Sequence, residues 1–212
     1  GMLPDEAVEN GFAGATLGLE FAGEVTRVGS AVENFRVGDR VMGFGRACFA
    51  SHVITREDAV TVMPEGWTFD SAATVPCVFL TVYYALKELA ILQAGERVLI
   101  HGAAGGVGMA ALQVASYLGA EIFATAGTQE KRDLVRLLGA DHVFSSRDLE
   151  FAAQILAKTD GEGVDVVLNS LSGEAMRQSL GVPLSRLVID PAGRIIERRD
   201  LRPVPPSNTG DL

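Results

Sequence analysis

The chain has 212 residues, of which 48% are hydrophobic, 7% aromatic and 21% charged. That length holds one large domain or two modest ones, and the charged fraction is too low for a disordered chain. Eighteen Lys and Arg against 27 Asp and Glu leave a net charge of −9, which repels nucleic acid and anionic membranes and argues against both as partners. No apolar run reaches the length of a membrane span, and no signal peptide opens the chain. Two widely separated cysteines, Cys48 and Cys77, make neither a disulfide framework nor a zinc site. They read as buried thiols in a reducing, cytoplasmic setting. Gly1 before Met2 reads as a protease scar.

In chain order, residues 19–66 read as β structure. Partial alternation over 19–29 ends in a glycine turn, and a second strand follows the turn near Gly38. Residues 49–54 and 60–63 are further strand candidates. Short strands with glycine turns suggest a small barrel-like unit. From Asp70 to Leu89 the pattern becomes helical, with Asp70 or Ser71 as a cap and a break at Pro76.

From Glu96 onward strand and helix alternate. Strands are predicted over 97–101, 121–125, 142–145 and 164–168. Helices are predicted over 106–118, 129–138, 149–158 and 173–180. This alternation predicts an α/β fold with a parallel sheet and right-handed crossovers. After Gly181 five of the eight prolines appear, with one last strand expected over 193–197 and a tail over 201–212.

The segment Val98-Leu99-Ile100-His101-Gly102-Ala103-Ala104-Gly105-Gly106-Val107-Gly108 joins an apolar strand to a helix through small residues. Ala103, Gly105 and Gly108 take the three places of the G-x-G-x-x-G dinucleotide pattern, so the first glycine is replaced by alanine. Gly102 just before it can supply the turn's flexibility. Small residues let a pyrophosphate approach the backbone, and the helix start offers free N–H donors. A glycine-rich turn without a ligand is the alternative. The second strand ends Ala124-Thr125-Ala126-Gly127-Thr128 without the carboxylate that NAD-preferring domains place there, and Lys131 and Arg132 follow. That exchange suits the 2′-phosphate of NADPH, and a solvated helix face is the alternative. Asn169, Ser170 and Leu171 close the fourth strand of this half, where a parallel sheet places its ligands, although an ordinary turn would read the same way. His52, His101 and His142 stand in no metal-ligand or triad spacing and read as structural.

These stretches resemble the enoyl reductase domains of modular polyketide synthases and animal-type fatty acid synthases, in the zinc-free branch of the medium-chain dehydrogenase/reductase superfamily. The matching motifs are LGLEFAG at 17–23, VGDRV at 37–41, VPCVFLTVYYAL at 75–86, the glycine loop, QEKR at 129–132 and GVDVVLNSL at 163–171. The resemblance runs from residue 2 to about residue 182. It implies a partial GroES-like β-barrel domain over 2–88, a Rossmann-type NADPH-binding domain over 89–200 and a tail over 201–212.

The activity implied is hydride transfer from NADPH to the β-carbon of an enoyl thioester carried on an acyl carrier protein, followed by protonation at the α-carbon. Other synthase domains are implied as partners. The cofactor-binding set is Thr81, Gly102, Ala104, Gly105, Gly106, Val107, Gly108, Gly127, Thr128, Lys131, Arg132, Asn169, Ser170 and Leu171, with no metal and no assigned catalytic residue. Against the family pattern, the chain begins partway through the catalytic domain and departs near Gly181. Arg198 stands where the family carries a lysine, and arginine does not readily give up a proton. These departures suggest a truncated chain that self-associates through exposed sheet edges. A zinc-free NADPH quinone oxidoreductase and a catalytically incomplete nucleotide-binding remnant are the alternative readings.

Overall fold

The computed structural model describes residues 16–171, 173–182 and 186–188, and the chain divides into two compact units between Leu80 and Thr81. The first unit contains a three-stranded antiparallel sheet of β1 (Glu20–Glu24), β2 (Arg40–Phe44) and β3 (Val60–Val62), in that order. Gly43 makes the tight pairing possible, since a Cβ there would lie 2.4 Å from the carbonyl oxygen of Ala59. The strand expected over 49–54 does not form. Phe49 is 82% and Ile54 96% exposed, and the Cys48 and Phe49 N–H groups go to the carbonyls of Gly18 and Leu17 outside any regular ladder.

Two short helices follow, α1 (Phe69–Ala72) and α2 (Pro76–Tyr83). Thr68, rather than Asp70 or Ser71, caps α1, its hydroxyl accepting the Ser71 N–H at 3.2 Å. Pro76 opens α2, where its missing N–H costs nothing, and the Cys77 N–H donates to Glu20 Oε2 at 2.9 Å. Cys48 is buried and Cys77 half-buried, and burial, then the Glu20 carboxylate, raises both thiols above the usual range. The helical stretch Phe69–Leu89 does reach 21 residues and is long and apolar enough to cross a membrane by length and composition. The sequence showed no such uninterrupted run because Asp70, Lys87 and Glu88 punctuate it and the helix breaks before Pro76.

The second unit opens with a π-helical turn, Tyr84–Leu89, and then alternates. Its strands are β4 (Arg97–Ile100), β5 (Glu121–Ala126), β6 (His142–Ser145), β7 (Val166–Leu168) and β8 (Arg186–Val188). The helices between them are α3 (Gly106–Tyr117), α4 (Gln129–Leu137), α5 (Phe151–Lys158) and α6 (Gly173–Gly181). All strand pairs are parallel, in the order β6-β5-β4-β7-β8. The chain starts this sheet at its centre, moves out one way to β6, and returns to the other side of β4 through β7. That reversal is the Rossmann switch point.

β5 and β7 are buried almost end to end, as strands covered on both faces must be. Leu99, Phe123, Phe144, Phe151, Ile155 and Val167 form one core cluster with Val164 and Val182. Strand β8 was not anticipated, because its three residues sit among prolines. The expected strand over 193–197, Arg198 and the tail over 201–212 lie outside the described residues.

Candidate functional site

The glycine turn leaves β4 at the switch point. Gly102 takes a left-handed φ of +61°, which glycine adopts without the penalty a Cβ would bring. The Ala103 N–H donates to the Thr125 carbonyl at 3.0 Å and the Gly105 N–H to the Gly102 carbonyl at 2.9 Å, so the turn is tied to β5 and to itself. Helix α3 then starts at Gly106 with Gly105 as its cap. No side chain caps it, and its first N–H groups point outward as an anion-binding end. Gly108 lies against the turn: a Cβ there would sit 2.5 Å from both the Ala103 Cα and the Gly102 carbonyl oxygen.

A groove of about 340 Å³ opens above this turn, lined by Gly102, Ala104, Gly105, Ala126, Gly127, Lys131, Ser146 and Arg147. It lies at the carboxyl ends of β4, β5 and β6, where an open parallel sheet receives its ligands. Lys131 and Arg147 are exposed, and among the described residues neither side chain makes a hydrogen bond or ion pair. Small residues, an uncapped helix start and two cations without a partner among the described residues have the chemistry that suits a phosphorylated ligand.

His101 fills the space beneath the turn and is 3% exposed. One ring nitrogen meets Thr125 Oγ1 at 3.0 Å and the other Ser179 Oγ at 2.8 Å. The Phe151 ring stands edge-on at 5.2 Å. Burial pushes the imidazole pKa down to about 4, so the ring is neutral and joins β4, β5 and α6.

The alcohol dehydrogenase GroES-like domain family matches residues 4–80, and the zinc-binding dehydrogenase family matches residues 106–186. A highly reducing polyketide synthase of Didymella fabae is 51% identical over 165 residues, which cover 77% of this chain and 9% of that protein. The crystal structure of the CurK enoyl reductase superposes with a TM-score of 0.81 at 44% identity, covering 87% of this chain and 57% of that one. The chain belongs to the polyketide synthase-type enoyl reductase domains. The native structure of mycobacterial Rv1454c complexed with NADPH is also similar, with a TM-score of 0.74 and 31% identity over 81% of this chain and 55% of that one. This chain therefore spans under a tenth of the curated synthase and just over half of each of the two solved chains. The second matching family is described as zinc-binding. Among the described residues no three His, Cys, Asp or Glu side chains stand close enough to hold a metal ion.

Within this enoyl reductase domain, the structure brings Gly102, Ala104, Gly105, Gly127 and Lys131 into one groove. Gly106, Val107 and Gly108 form the first turn of α3 beside it. Thr128 caps α4, its hydroxyl accepting the Lys131 N–H at 3.3 Å. The Glu130 carboxyl is held below the usual range by its own backbone N–H and then by the Thr128 hydroxyl. Arg132 turns away from the groove's cations and donates to the carbonyls of Gly127 at 3.0 Å and Ala126 at 3.5 Å.

Asn169 is fully buried and spent on its own turn: its side chain donates to the Leu171 carbonyl at 2.9 Å and accepts the Leu171 N–H at 3.1 Å. Ser170 donates to the His101 carbonyl at 3.2 Å, bridging β7 to the glycine turn across the switch point. Thr81 lies on α2 with an exposed side chain and does not line the groove. Ser146 and Arg147 were missed in the sequence. The signal lies in the strand order and not in local periodicity: β6 neighbours β5, so a cation just past β6 reaches the same rim.

Proposed function

We propose that this chain supplies the NADPH-holding part of an enoyl reductase that reduces the 2,3 double bond of an enoyl thioester borne on an acyl carrier protein, within a polyketide synthase. The observation that carries the reading is the groove in which Lys131 and Arg147 stand unpaired at the rim, beside a β5 end without a carboxylate. The names of the relatives support the reaction class, and the NADPH bound in the mycobacterial neighbour supports the cofactor.

When bound, NADPH supplies the hydride that adds to the β-carbon. The chain's own residues bind and orient. The N–H groups opening α3 hold the pyrophosphate, and Gly102, Gly105 and Gly108 keep side-chain atoms out of its way. Lys131 and Arg147 hold the 2′-phosphate, the arginine through a forked guanidinium and the lysine as a point charge. The Asn169–Leu171 turn holds the glycine turn in place through Ser170.

The test is a titration of NADPH and NADH, followed by nicotinamide fluorescence, on wild type, Lys131→Ala and Arg147→Ala. Each variant is expected to lose about tenfold or more in NADPH affinity, as the loss of a charge-assisted phosphate contact implies, with NADH little changed. Wild type that binds neither nucleotide would bring forward the reading as a nucleotide-binding remnant.

A further inference from the structure

Lys131 and Arg132 are neighbours in sequence, and both were expected at the phosphate. On a helix, consecutive side chains point about 100° apart, so the pair cannot share one face. Only Lys131 lines the groove. Arg132 is half-buried, and its guanidinium is already engaged. Nη1 donates to the Gly127 carbonyl at 3.0 Å and lies 3.5 Å from the Ala126 carbonyl, while Nη2 donates to Gln129 Oε1 at 2.9 Å. Gln129 is itself fixed, donating to Asp133 Oδ1 at 2.7 Å.

The β5–α4 turn is thus held from the helix side by Arg132. From the other side Arg147 packs on the same glycine, for a Cβ on Gly127 would lie 3.0 Å from Arg147 Nε. The Gly127 peptide lies between two guanidiniums with different tasks: one is bonded to the backbone, and the other carries no partner among the described residues.

We propose that Arg132 is a positioning residue of the nucleotide groove and does not touch the cofactor's phosphate. It holds the carbonyls of Ala126 and Gly127, and through them it sets where Thr128 starts α4 and where Gly127 meets Arg147. Every part of the nucleotide that rests on this turn depends on it, whether or not a 2′-phosphate is present. The inference rests on the proposed nucleotide site. It differs from that reading in what it expects of selectivity.

The experiment measures NADPH and NADH dissociation constants and melting temperature for wild type, Lys131→Ala, Arg132→Ala and Arg132→Lys. Arg132→Ala is expected to weaken NADPH and NADH together, by about tenfold each, leaving their ratio as in wild type. Arg132→Lys should recover part of both affinities, because an ammonium reaches the Gly127 carbonyl but cannot also serve Gln129. Lys131→Ala should collapse the ratio toward one. Should Arg132→Ala fail to fold, Gln129→Ala, which frees the guanidinium from its second partner, should still weaken both nucleotides in parallel. A selective NADPH loss in Arg132→Ala would make Arg132 a phosphate ligand and overturn the inference alone. A lower melting temperature with both affinities intact would make it merely structural and overturn it too. Wild type that binds neither nucleotide overturns the underlying site as well.

Discussion

His101 is a polar side chain in an apolar place, satisfied on both nitrogens by hydroxyls that donate or accept as needed. Its neutrality has a measurable consequence. Unfolded, the imidazole takes up a proton near pH 6.5; folded, only near pH 4. Between those values the unfolded chain holds more protons. Stability is therefore full above about pH 6.5 and falls as the pH drops toward 4, by up to about 3 kcal/mol over the whole window. Urea denaturation at pH 7.5 and pH 5 should show wild type losing about 2 kcal/mol from this group. His101→Asn should show a smaller loss across the same interval, though its stability at pH 7.5 is lower for want of one hydroxyl partner. Equal pH dependence in the two proteins would mean that the buried imidazole is not what couples stability to protons.

The same residue-level view separates ligands from supports. Asn169, Ser170, Thr128 and Arg132 all sit where the sequence placed them, at the ends of β7 and β5. Their polar atoms are largely committed to the backbone of the two turns, and among the described residues that line the groove Lys131 and Arg147 are the ones left with charge to offer.

Between elements, the contact that decides the site is α3 against the glycine turn. Gly108→Ala would place a methyl carbon 2.5 Å from backbone atoms of Gly102 and Ala103, neither of which is a flexible side-chain end that can swing away. The helix must then lift from the turn, at about 1–3 kcal/mol of overpacking, and carry its N–H groups away from the groove. The expected result is a chain that still folds and whose NADPH affinity falls by more than about tenfold, read by nicotinamide fluorescence. Unchanged affinity in Gly108→Ala would show that the turn tolerates displacement.

At this scale the sequence was most legible where burial is two-sided. Strands such as β5 and β7 are nearly unbroken apolar runs, and helix starts such as Gly106 and Gln129 are marked by glycine or a capping threonine. It was least legible where apolar residues face solvent. Phe49 and Ile54 suggested a strand, and among the described residues no strand pairs with that segment. Arg147 escaped for a different reason. Its place at the groove depends on β6 lying beside β5, a relation between residues twenty apart that local periodicity does not record.

Taken whole, the molecule places every residue of the groove in the unit that begins at Thr81, and none in the unit that ends at Leu80. A net charge of −9 gives no long-range attraction for an anionic cofactor, so the proposed binding would depend on short-range contacts to α3, Lys131 and Arg147. Binding in this groove would bring ligand free energy in through the unit that holds the groove. At about one hundred times its dissociation constant, NADPH stabilises the state that binds it by about 2.7 kcal/mol, which slows exchange through opening of that unit by about 100-fold. Amide hydrogen exchange with and without NADPH should therefore show strong added protection in β4, β5 and β7 and little in β1, β2 and β3. Equal protection of both sets would mean that the units open as one cooperative body, and the cofactor would then stabilise the antiparallel sheet as well. No added protection in β4 and β5 would place the cofactor elsewhere and remove the basis for the groove.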